Sequence, residues 1–181
     1  MAGFRLSKTQ TSGFAGQLKT YAALAADSSQ MAIGDAVIGS GTATAQGVPS
    51  VARANGGTGT EITGVIAGFA PDPTNLSLQG RTASTLREMK LQIDPMAEYE
   101  LEIGSVLAIT DVGANFLLTA NAPTASGNLV VSAMVSGAAD ASGPLRLIRL
   151  VEPTDGTAIG AVGNTGVFTI IRSQLTNLTG V

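Results

Sequence analysis

The chain has 181 residues, 44% of them hydrophobic, yet only 4% aromatic and 13% charged, with a net charge of −3 and no His, Cys or Trp. An average domain carries roughly 25% charged residues. The missing Cys excludes disulfides and thiolate chemistry. The missing His excludes Ser-His-Asp and Cys-His arrangements and the commonest transition-metal ligand. The acidic balance argues against a nucleic-acid-binding surface over the whole chain, and no apolar run approaches the length of a membrane span. Gly (23) and Ala supply much of the apolar fraction, which suits thin, closely approaching layers. So little charge leaves surface to be covered, and association with other subunits is the natural way to cover it.

Residues 1–20 hold Arg5, Lys8 and Lys19 and no acid, and predict a flexible basic arm carrying two exposed aromatics, Phe4 and Phe14. Such an arm is either a plain disordered terminus or one that orders on a neighbouring acidic surface. The remaining residues, 21–181, read as a single β-rich domain. "QLKTYAALAAD", Gln17 to Asp27, is the best helical candidate, with Leu18, Tyr21, Ala22 and Ala25 on one side. "MAIGDAVIGS", Met31 to Ser40, reads as a strand, and "TATAQGVPSVARANGGTGTE", residues 42–61, as a long turn-rich segment. "ITGVIAGFA", Ile62 to Ala70, is a further strand closed by "PDPTN". "RTASTLREMKLQI" reads as one or two helical turns holding Arg81, Arg87 and Lys90.

From Glu98 the pattern is consistently β. "EYELEI" places Glu98, Glu100 and Glu102 on one face of a strand and Tyr99, Leu101 and Ile103 on the other. "SVLAITDV", "NFLLTA", "LVVSAMV" and "LRLIRLV" follow as strands, with "NAPTASGN" and "SGAADASGP" as turns. "TAIGAV", "GNTG" and "VFTIIRS" read as a hairpin. Eight to ten short strands between Gly, Pro, Asn and Asp turns predict an all-β fold, a β-barrel or jelly-roll-like sandwich with at most one or two short helices.

Catalytic chemistry finds little support. Three carboxylates on one strand face share one environment, so nothing sets their pKa values apart as a glycosidase pair requires. They diverge instead of converging as a hard-cation loop does. The row is either a solvated face or a face that meets basic groups on a partner. "GGTGTEITG", Gly56 to Gly64, lacks the Lys-Ser/Thr of a phosphate loop and does not match Gly-x-Gly-x-x-Gly. Arg146 and Arg149 fall on opposite faces of one strand by simple alternation.

The order of segments resembles the structural cement, or head-decoration, proteins of tailed bacteriophages. The features that carry the resemblance are "GFAGQL" (Gly13 to Leu18), "MAIGDAVIGS", "ITGVIAGFA" after a Gly/Ala-rich loop, and the later pair "EYELEIGSVLAIT" and "GNLVVSAMV". The resemblance spans Gly13 to Gly113, with the rest similar in general character. It implies a protein that binds the outside of an assembled head in the virion after synthesis in the host cytoplasm. Copies would form dimers or trimers and bridge adjacent major capsid subunits, with no cofactor, metal or catalytic residue. On this reading Phe4, Arg5, Lys8, Phe14, Glu98, Glu100 and Glu102 meet capsid or a sister copy. The rival readings are a tail-tube or fibre module and a carbohydrate-binding β-sandwich.

Overall fold

A computed structural model describes residues 3–8 and 18–175. The fold is all-β, with one 3-10 turn (Ile109–Asp111) as the sole helical element among the described residues. The strands are β1 (Arg5–Lys8), β2 (Leu18–Ala23), β3 (Ala36–Ala43), β4 (Pro49–Arg53), β5 (Gly64–Phe69), β6 (Arg87–Gln92), β7 (Glu98–Glu102), β8 (Asn115–Ser126), β9 (Leu129–Ala139), β10 (Leu145–Leu150) and β11 (Thr165–Ile170). Strands β2-β4-β3-β5-β6 close into a barrel, and β1-β7-β11-β10-β8-β9 form a six-stranded sheet. Met31, Val37, Val51, Ile66, Met89 and Leu91 fill the barrel. A larger core joins Ala36, Ile62 and Val65 from the barrel strands and their flanks to Tyr99, Leu101, Phe116, Leu147 and Phe168 of the sheet. Phe116 and Phe168 meet edge to face there, with ring centroids 5.9 Å apart.

The expected helix at Gln17 to Asp27 is instead strand β2 where it is described. Its six residues pair in full antiparallel register with β6, from Leu18 opposite Gln92 to Ala23 opposite Arg87. A five-stranded barrel has a narrow interior, and the small, fully buried side chain of Ala23 fits its core, while the equally buried Ala22 points to the other face of the strand. Tertiary pairing outweighs alanine's helix preference, and a helix this short would be marginal on its own. The helical turns expected around Arg87 are likewise absent, because Arg87, Met89 and Leu91 alternate inward as β6. Within the segment expected to be turn-rich, Pro49–Arg53 forms β4.

Three further expectations change. "SVLAITDV" is an irregular loop with a 3-10 turn. "NAPTAS" continues β8 to Ser126 across a register shift between Asn121 and Thr124. Pro123 is accommodated because β10 pairs only with Asn115 and Phe116 of β8, leaving its far half without that neighbour. "TAIGAV" is a chain of turns that feeds β11, which pairs with β7 and β10. A bulge between Leu147 and Arg149 sets Arg146 opposite Thr169 and Arg149 opposite Val167. The two arginines therefore share a face, where plain alternation would separate them.

The Gly-rich run at Gly56 packs against β8. Gly57 N–H donates to Leu118 O at 3.1 Å. Gly56 has φ +74, and a Cβ there would lie 2.3 Å from Leu118 O, so only glycine lets the two backbones approach.

Candidate functional site

Strand β1 brings the basic segment onto the acidic strand. Arg5 pairs with Glu100, Leu6 with Tyr99 and, after a bulge at Ser7, Lys8 with Glu98. Arg5 Nη2 donates to Glu100 Oε2 at 2.8 Å. Strand β11 flanks the other side of the row, setting Thr169, Val167 and Thr165 opposite Glu98, Glu100 and Glu102. The acidic row is thus an inner strand of the sheet, and its middle charge meets a cation of its own chain. The side chains of Arg5 and Glu100 are 51% and 32% exposed, so solvent screens the pair and it contributes less than about 1 kcal/mol.

Phe4 is buried, at 4% exposure, where sequence reading places it in solvent. Its ring meets Tyr99 edge to face at 5.5 Å between centroids, and its amide donates to Gly34 O at 2.8 Å. Burial of two rings and the added strand pairing hold this part of the expected arm against the body. Phe14 lies outside the described residues. The structure therefore gathers Arg5, Lys8, Glu98, Glu100 and Glu102 along the two strands β1 and β7, with Phe4 directly before β1.

Two apolar surfaces escape sequence reading. The first is a groove of about 330 Å³ between β1 and the barrel, lined by Phe4, Leu6, Leu18, Ile33, Val65 and Tyr99 among others. A neighbouring recess of about 220 Å³ shares Phe4, Arg5 and Ile33 and extends the strip to Leu129. Leu6, Leu18, Ile33 and Leu129 are each more than two-fifths exposed. The second surface lies on two loops stitched together by Leu107 N–H to Gly160 O and Gly163 N–H to Ile103 O, both 2.9 Å. These loops expose Val106 (78%), Ile109 (73%), Ile159 (45%) and Val162 (59%). Groups of exposed apolar side chains of this kind are candidate interaction sites. Sequence gives no signal for it, since an exposed Val at a β-like position reads the same as a core Val.

No group of three or more Asp or Glu able to hold a metal occurs among the described residues. Burial, with Asp94 acting in the same direction, pushes the Tyr99 phenol above its ordinary value of 10. The unfolded chain loses that proton near pH 10 while the folded chain keeps it. Tyr99 therefore costs no stability below pH 10, and stability falls as pH rises beyond it. In urea titrations at pH 9 and pH 11, the loss should be smaller for Tyr99→Phe than for the parent chain; equal losses would refute the assignment.

No known family model matches this chain, and searches of curated proteins and of solved structures find no match either.

Proposed function

We propose that this chain is a head-decoration protein of a tailed bacteriophage, which binds the outside of the assembled capsid and bridges adjacent major capsid subunits. The observation that carries this reading is the pair of separate exposed apolar surfaces, one around Leu6, Leu18, Ile33 and Leu129 and one around Val106, Ile109, Ile159 and Val162. A bridge needs two attachment surfaces, and these two share no residue. The order of segments from Gly13 to Gly113 and the low charge support the same reading. The charged strip beside the first surface, with Arg5, Lys8, Glu98 and Glu102, would set orientation more than affinity.

Stabilisation follows by linkage. A ligand that binds only the assembled shell shifts the equilibrium toward that shell. The lattice repeats, so modest contacts act together. Such a protein works by covering surface and performs no catalysis.

The experiment is binding of the purified chain to empty heads that lack their decoration protein, followed by sedimentation and electron microscopy. Saturable occupancy at fixed lattice positions is expected. Leu6→Ser with Ile33→Ser removes two apolar contacts of about 1.5–3 kcal/mol each if fully buried. Binding should weaken about a hundredfold or more, with little change in folding. Undiminished binding would remove the groove from the interface. Rings or needle-like trimers with no affinity for heads would favour a tail or fibre role.

A further inference from the structure

At the junction of barrel and sheet, four buried polar atoms have no hydrogen-bond partner among the described residues: Gln92 Nε2 and Oε1, Asp94 Oδ2 and Tyr99 Oη. Gln92 and Tyr99 are only 3% and 1% exposed. Leaving such groups unpaired costs about 1–3 kcal/mol each, and native interiors almost always satisfy them. The three side chains come from the end of β6, the following turn and the start of β7. They line one small cavity of about 10 Å³, walled on its apolar sides by Ile62, Ile93 and Ile170.

That volume is close to the roughly 10–15 Å³ that one water requires, and a buried water needs two to four polar partners. The cavity's chemistry is also suited to water. An amide N–H of Gln92 and the O–H of Tyr99 can donate to the water oxygen, and Asp94 Oδ2 can accept from it. Asp94 Oδ1 already accepts from Met96 N–H at 2.9 Å, which leaves Oδ2 as the oxygen without a partner.

We infer that this cavity is a binding site for a single structural water, held by Gln92, Asp94 and Tyr99, that joins the barrel to the six-stranded sheet. The site is independent of the proposed role on a capsid. It ties β6 to β7 across the turn Ile93–Ala97, the covalent link between the barrel strands and the rest of the sheet.

A crystal structure of the full chain, at a resolution that shows ordered waters, tests this directly. The expected result is one density peak about 2.7–3.2 Å from at least one polar atom of each of the three side chains. NMR of the same protein should show magnetisation transfer from water to the Gln92 side-chain amide, lost in Asp94→Ala. Direct pairing of Gln92 with Asp94 or Tyr99, with no peak between them, would overturn the inference. So would a peak coordinated at about 2.3–2.6 Å, the spacing of a hard cation.

Discussion

Arg81→Met should destabilise the protein by about 3–5 kcal/mol, the range for removing one partner of a buried charged network. Arg81 is a fully buried guanidinium, at 0% exposure. Nε donates to Thr85 O at 2.8 Å, and Nη2 donates to Leu24 O at 2.7 Å and Asp27 O at 2.6 Å. Nη1 donates to Ser29 O and lies 3.8 Å from Asp27 Oδ2. One side chain thus gathers carbonyls from two loop segments that are otherwise joined by Ser84 N–H to Asp27 O at 3.0 Å. Its backbone also bridges to Met31 in both directions, Met31 N–H to Arg81 O at 3.1 Å and Arg81 N–H to Met31 O at 2.8 Å. Met fills much of the volume but donates nothing, so Ser29 O and Thr85 O lose their donor, while Leu24 O and Asp27 O keep only the backbone donors Asp27 N–H and Ser84 N–H, both at 3.0 Å. A chain of this size has a total stability of about 5–15 kcal/mol, and each kcal/mol moves Tm by about 2–4 °C. The expected drop is therefore about 6–20 °C. Arg81→Lys should recover little, because an ammonium lacks the planar fork that reaches both segments at once. A shift below 2 °C in Arg81→Met, measured by calorimetry, would show that the network contributes nothing net.

The second large effect lies at Asp35 and Arg53. Asp35 is fully buried. Its Oδ2 accepts from Arg53 Nε at 3.0 Å and from Ala32 N–H at 2.9 Å, and its Oδ1 accepts from the Ser132 hydroxyl. Arg53 continues to Ala120 O at 3.1 Å and to Asn121 O. The pair therefore fastens β4 and the entry to β3 in the barrel to β8 and β9 in the sheet. Asp35→Ala strands a buried cation and should cost about 3–5 kcal/mol. Replacing both members, Asp35→Ala with Arg53→Met, removes the charge as well as its partner, and should cost less than the sum of the single changes. A double-mutant cycle in urea should give a coupling of about 2 kcal/mol or more. Strict additivity would mean that the two residues act separately.

Neither network was visible in the sequence. Arg81 sits in a stretch that reads as one or two helical turns, and its partners Leu24, Asp27 and Ser29 lie more than fifty residues away. The all-β class was legible, because "EYELEI" and "LRLIRL" mark strands by alternation and apolar content. Strand β2 was not, since alanine carries a helical preference that pairing with β6 overrides. The β1 segment was legible as basic but not as packed: nothing local to "GFRLSK" announces that Phe4 meets Tyr99, ninety-five residues on. The acidic row was read correctly as one face of a strand, while its Arg5 partner depends on sheet order, which alternation alone does not specify. Exposed Val106 and Ile109 read as strand because their residue types do, and only the loop's pairing with Gly160 shows that it leaves the sheet.

The most direct test of the bridging role is the rupture temperature of empty heads, measured by calorimetry with and without saturating chain. Bridging predicts a rise of several degrees with the parent chain. It predicts none with Ile109→Ser and Val162→Ser together, even at concentrations where that variant still binds through the β1 groove. An unchanged rupture temperature with the parent chain bound at full occupancy would contradict bridging outright.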